Sequence, residues 1–210
     1  MVDKIVVFGD SIAYGKWDSD GGWVAQLRKY IDEKHNISHG GNYQIFNSSI
    51  PGEIAPRLVQ RLALEANFRF WPEEKNFAII AVGLNDSNPG NWMAGEQTTE
   101  VNFKKSISQI IDTFREKNIE ILILGLTPVV EVKRIKQNSQ FTEKLAAIYD
   151  RYLKEVATKE RVNYLEMNQY LREHGCEDHI VDGVHLDHAG HELIFSRVRD
   201  YLEDKHLLGL

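Results

Sequence analysis

Five short, β-rich apolar runs alternate with amphipathic stretches from one end of the chain to the other. The runs are KIVVFG (Lys4 to Gly9), YQIFNS (Tyr43 to Ser48), FAIIAVG (Phe77 to Gly83), IEILILGL (Ile119 to Leu126) and VNYLEM (Val162 to Met167). Three of them are nearly continuous in apolar residues, as strands covered on both faces by helices must be. Between the runs, Trp23, Leu27, Tyr30 and Ile31 recur at helical spacing, as do Phe103, Ile107, Ile110, Ile111 and Phe114. Leu145, Ile148, Tyr149, Tyr152 and Val156 make a third stripe, and Leu193, Ile194, Val198, Tyr201 and Leu202 a last one. Ile54 to Phe68 reads as a less regular helix that stops near Trp71-Pro72. Strand and helix in strict alternation predict an α/β fold, a parallel sheet with helices on both faces.

The chain has 210 residues, enough to bury one substantial core, and shows no repeat, low-complexity tract or linker. One domain over residues 1–210 is expected. The net charge is −6, with acids and bases interleaved even where bases gather, as in RKYIDEKH. That excludes a nucleic-acid or anionic-membrane surface, since both need clustered Lys and Arg. A single cysteine, Cys176, forbids an intramolecular disulfide and fits a reducing compartment. The first residues carry only the short apolar run IVVF, not a signal peptide, and nothing approaches the length of a membrane span. The expectation is a soluble cytoplasmic protein.

In open parallel sheets, ligands bind beyond the carboxyl ends of the strands, so the loops after the runs carry the chemistry. Gly9-Asp10-Ser11 follows the first run. It can present the Ser11 hydroxyl at the sheet edge, or Asp10 or Ser11 can simply cap the next helix. After the second run, Gly52 precedes a helix, where its N–H can point at an anion or only close a turn. After the third, Asn85 offers a side-chain N–H of the kind oxyanion holes use, or an Asx turn. Before the last helix stands Asp182-Gly183-Val184-His185, whose spacing lets a turn bring the carboxylate to the imidazole. Singly, each has an ordinary structural reading. Together they supply a nucleophile, a base, an orienter and oxyanion donors, the parts of an acyl-transfer site.

These blocks resemble the SGNH (GDSL-type) family of esterases and lipases over nearly the whole chain. The resemblance rests on Phe8-Gly9-Asp10-Ser11-Ile12, Gly22-Trp23, Asn47 to Gly52, Gly83-Leu84-Asn85-Asp86 and Asp182-Gly183-Val184-His185-Leu186 with Gly190. It implies a flavodoxin-like, three-layer α/β/α sandwich with a five-stranded parallel sheet. It also implies Ser11 as nucleophile, His185 as base and Asp182 as third triad member. The oxyanion hole would be the Ser11 and Gly52 N–H groups with the Asn85 side chain. Ser49 stands where many members have Gly, but Gly52 is the donor glycine. Neither a metal nor another cofactor is required, and the substrate is a small-molecule ester. Gly-x-Ser-x-Gly is absent, so this is not a nucleophile-elbow hydrolase.

Three rivals stand beside that reading. His185, His188 and His191, with Asp182, Asp187 and Glu192, have a spacing that zinc ligands can show. A flavodoxin-like sheet can bind a phosphate or flavin, but no glycine-rich phosphate loop is present. An inactive interaction module is the third. Cys176 is expected to be buried and inert, Asp10 to hydrogen-bond locally, and Trp71 to pack at the core or its boundary. Tyr14 to Gly22, Asn88 to Thr99 (with Trp92 and Met93) and Thr127 to Gln140 are the loops expected to shape the substrate pocket. Carboxyl ester, thioester, acetylated sugar and lysophospholipid all fit what they contain.

Overall fold

In the computed structural model, residues 3–90, 98–136 and 140–208 are described. Trp92 and Met93 lie outside them.

Each apolar run forms a strand, shorter than the run at one or both ends in all but the first. They are β1 (Lys4–Gly9), β2 (Gln44–Asn47), β3 (Asn76–Ala81), β4 (Glu120–Leu124) and β5 (Asn163–Leu165). All pair in parallel, in the order β2-β1-β3-β4-β5. Val6 sits at the centre, opposite Phe46 on one side and Ala78 on the other. Val82 and Gly83 leave the sheet, because the chain turns at Gly83 (φ 133°) into the loop that carries Asn85.

Among the described residues, helices α1 (Ser11–Tyr14), α2 (Gly22–Ile31), α3 (Ala55–Arg69), α4 (Glu100–Arg115) and α5 (Glu143–Glu160) lie between the strands, and α6 (Asn168–Glu173) and α7 (His188–Asp204) follow β5. Right-handed crossovers with this strand order put α2 on one face and α3, α4 and α5 on the other. The packing agrees: α2 lies against α7, while α4 lies between α3 and α5. The result is the expected three-layer sandwich.

Local chemistry explains the helices. Thr99 caps α4 by accepting from the Asn102 N–H, and Thr142 caps α5 from Leu145. The predicted stripe of α4 is buried in full, and Phe114 meets Phe8 and Phe70 with ring centroids 5.5 and 6.1 Å away. In α5 the stripe is rotated from the expected one. Ala146, Tyr149, Leu153, Val156 and Ala157 are buried, whereas Leu145, Ile148 and Tyr152 are only partly covered. Small residues at 146 and 157 face inward, and Tyr152 turns to the surface to bond Glu100 under the Lys104 ammonium. Trp71 is a boundary residue. Its ring covers the buried Lys4, whose Nζ lies 3.6 Å from the ring centroid and 2.7 Å from Glu74. No helix among the described residues is long and apolar enough to cross a membrane.

Candidate active site

The strand order reverses between β1 and β3, so the carboxyl ends of β1, β2 and β3 open a crevice at that switch point. Ser11, Gly52 and Asn85 follow those three strands, and all line one cavity of about 510 Å³.

Ser11 is the first residue of α1, two positions after the strand ends at Gly9. Asp10 is the cap, accepting from the Ile12 N–H at 2.9 Å, so Ser11 is left with a different task. Its own N–H belongs to the first helical turn and has no intrahelical acceptor. The turn is this tight because position 9 is glycine: a Cβ there would stand 2.5 Å from Ala13 Cβ and 3.1 Å from the Ala81 carbonyl.

Gly52 has φ +81°, which favours glycine, and no hydrogen-bond partner for its N–H lies among the described residues. Its loop is tied down twice. The Ile50 N–H donates to the Gly9 carbonyl at 3.0 Å, and buried Glu53 pairs with Arg61 at 2.6 Å. Arg61 also donates to the Ser48 carbonyl at 2.8 Å.

The third loop meets the first two. Asn85 Nδ2 donates to Asp10 Oδ2 at 3.2 Å, and Asp86 caps α3 by accepting from the Ala55 N–H at 3.1 Å. One dipeptide thereby holds both the Ser11 turn and the helix after Gly52. Burial pushes the Asp10 carboxyl up to about 6, against the Ile12 N–H, His185 and Asn85, which favour its charge. Burial pushes Asp86 up to about 7, with the Ala55 N–H opposing and Asp10 adding to the rise.

Asp182 and His185 occupy a hairpin-like turn closed by an antiparallel bridge between Ile180 and Leu186. Gly183 (φ +90°) makes the turn, and a Cβ on it would stand 2.5 Å from Arg134 Cγ. Within it, Asp182 Oδ1 accepts from the Val184 and His185 backbone N–H groups at 3.2 and 2.9 Å. Asp182 Oδ2 lies 2.8 Å from His185 Nδ1, and His185 Nε2 lies 2.8 Å from Ser11 Oγ. The Nδ1–H therefore donates to the carboxylate, and Nε2 faces the hydroxyl as acceptor. All three residues are buried. Burial raises the Asp182 carboxyl, but hydrogen bonds from the His185 ring and backbone and from Trp17 outweigh it and hold the group well below the usual carboxylate range.

The other histidines are elsewhere. His188 lies against Asp18 at 3.2 Å, and that hydrogen bond raises its pKa. His191 is fully buried, and burial lowers its pKa. The spacing that suggested a zinc site thus sends His185, His188 and His191 to three separate environments. Cys176 is buried, and its thiol is pushed up to about 12 by that burial.

Two partners were not legible in the loops. Asp86 caps a helix that starts 31 positions earlier. Trp17 donates its indole N–H to Asp182 Oδ2 at 2.8 Å across 165 positions. Nothing local marks either, because both contacts exist only once the loops converge.

A hydroxyl, an imidazole and a carboxylate in line at the switch point of a parallel sheet define an ester hydrolase of the serine type. The pattern of the GDSL-like lipase/acylhydrolase family matches residues 7–193, and the chain belongs to that family. No curated protein matches it by sequence. Among solved structures it is similar to an acetyl xylan esterase, AlAXEase, at TM-score 0.75 and 18% identity, covering 95% of this chain and 99% of that one. It is also similar to the lipase/acylhydrolase from Enterococcus faecalis, at TM-score 0.74 and 18% identity over 96% of each chain. A third likeness is to the psychrotrophic esterase EstA from Pseudoalteromonas sp., at TM-score 0.72 and 15% identity, covering 96% of this chain and 97% of that one. These likenesses establish the shared fold.

Proposed function

We propose that one domain spanning residues 1–210 hydrolyses small-molecule carboxylic esters through an acyl-enzyme on Ser11. The observation that carries this reading is the unbroken chain from Ser11 Oγ through His185 to Asp182, 2.8 Å at each step. As Ser11 Oγ attacks the ester carbonyl, its proton passes to His185 Nε2. The resulting imidazolium keeps its Nδ1–H on Asp182, which stays ionised. Negative charge developing on the carbonyl oxygen is met by the Ser11 and Gly52 N–H groups and the Asn85 amide. Collapse expels the alcohol, which takes the proton from His185 Nε2. Water then attacks the acyl-enzyme, giving its proton to the same nitrogen, and releases the acid and Ser11.

Leu84, Ile135, Phe141 and Val184 give the cavity apolar walls, which suit an acyl chain more than a charged substrate. Named neighbours in this fold act on acetylated xylan, so acetyl esters head the substrate list. With a single buried cysteine and no disulfide to maintain, the enzyme is assigned to the cytoplasm. The test is hydrolysis of p-nitrophenyl esters of rising acyl length beside acetylated sugars, with Ser11→Ala as control. Turnover that vanishes in Ser11→Ala is expected; activity that survives the substitution contradicts the reading.

A further inference from the structure

Beyond the Ser11, His185 and Asp182 chain, the indole of Trp17 reaches the carboxylate from the segment between α1 and α2. Its backbone is left-handed, φ +72°, a conformation that is costly for a bulky side chain. The segment is built to hold it there. The Lys16 N–H donates to the Ser11 carbonyl at 3.0 Å, and the Asp18 N–H to the Gly15 carbonyl at 3.1 Å. The buried Asp18 carboxylate then accepts from the Asp20 and Gly22 N–H groups at 3.0 and 3.1 Å and faces His188 at 3.2 Å. This arrangement delivers the Trp17 Nε1–H to Asp182 Oδ2 at 2.8 Å. Yet the residue is 55% exposed and forms part of the cavity wall, with the Lys16 ammonium 5.2 Å from the ring centroid. A tryptophan present for packing would be buried; this one is exposed and directs its only polar side-chain atom at a carboxylate.

We propose that Trp17 is a positioning residue of the catalytic site, its indole N–H sharing Asp182 Oδ2 with the His185 ring and so moderating the carboxylate's hold on the imidazolium, while its exposed ring couples that contact to the group bound in the cavity. The inference rests on the triad reading above. Asp182 Oδ2 divides its acceptor strength between two donors, the indole and the His185 ring. A substrate covering the indole removes water from the pair and strengthens both bonds. Without the indole N–H, Oδ2 turns wholly to His185 and holds the imidazolium more tightly. His185 then gives up its proton to the leaving alcohol less readily. Among the described residues, Asp10 at the start of α1 and His191 on α7 act electrostatically with His185, and Lys16 shares its cavity wall; the benzothienyl variant keeps the ring that Lys16 covers.

The experiment replaces Trp17 with phenylalanine and, separately, with 3-benzothienylalanine, which keeps the bicyclic ring and loses only the N–H. Both variants are expected to lose about tenfold in kcat, the worth of one hydrogen bond to a charged group. The acid limb of kcat against pH is expected to move to higher pH in both, with KM nearly unchanged in the benzothienyl enzyme. In wild type, the Trp17 indole N–H resonance should titrate together with His185, and His185→Ala should abolish that titration. A benzothienyl enzyme with wild-type kcat and pH profile overturns the proposal, as does an indole resonance indifferent to His185. Failure of the triad reading has a different signature: Ser11→Ala would stay active while the indole resonance still followed His185.

Discussion

In the proposed mechanism, replacing Asn85 with alanine removes a donor that has two duties, and each has its own expected size. The amide nitrogen carries two hydrogens, and one of its bonds is to Asp10 Oδ2 at 3.2 Å. The catalytic duty is the larger. A preorganised donor facing the oxyanion is worth roughly a hundred- to a thousand-fold in kcat, or about 3–4 kcal/mol. KM should change far less, because the donor acts on charge that develops after substrate is bound. The structural duty is to partner Asp10, which keeps its bond from the Ile12 N–H at 2.9 Å. Asp10 is thus left under-satisfied and not orphaned, and the stability cost should be about 1.5 kcal/mol, the low end for a hydrogen bond to a charged group. Asn85→Asp is the informative partner variant, since it keeps the shape but sets a second carboxylate against Asp10 in a buried site. It should lose as much activity as alanine and more stability. The assay is kcat and KM on p-nitrophenyl acetate for wild type and both variants, with thermal melts. An Asn85→Ala enzyme within a few-fold of wild-type kcat would refute the assignment and leave the loop purely structural.

His185→Ala should abolish nearly all turnover, whereas His188→Ala, which removes one of the partners of Asp18, should keep most of it; steady-state kinetics on folded protein decides. Stability should also carry the mark of the buried acids. Asp10 and Asp86 have folded pKa values raised from 3.8 to about 6 and about 7, so their contribution is full below 3.8 and lost as pH rises through those values. Asp86→Asn should therefore gain Tm relative to wild type between about pH 5 and pH 8, as read from melts across that range. Asp182 has the opposite sign, its contribution present above 3.8 and lost only in strong acid. Esterase activity should survive prolonged EDTA dialysis, because His185 and Asp182 are committed to each other and to Ser11; loss restored by zinc would contradict that.

How much of this was legible in the sequence follows from which interactions are local. The strands were readable because burial on both faces leaves little but apolar residues in β1 and β3. The stripe of α4 was readable because Phe103, Ile107, Ile110, Ile111 and Phe114 recur at helical spacing and all face inward. That of α5 was partly misjudged, because Ala146 and Ala157 mark the inward face and carry little hydrophobic signal. Helices α1 and α6, four and six residues long, are too short for any stripe. In the site, Asp182 and His185 were readable as a pair three positions apart in one turn. The Trp17 to Asp182 bond, the Asp10 to Asn85 bond and the Asp86 cap join loops that only the strand order brings together. No window of the chain contains both partners.

The central claim, that Ser11 is the nucleophile activated by His185, is tested most directly by covalent capture. Wild type, Ser11→Ala and His185→Ala are incubated with a fluorophosphonate and read by intact mass, followed by peptide mapping. The account predicts one adduct per chain on wild type, mapped to Ser11. It predicts none on Ser11→Ala, and labelling slowed by orders of magnitude on His185→Ala. An adduct that persists in Ser11→Ala, or one mapped to another residue in wild type, would contradict it.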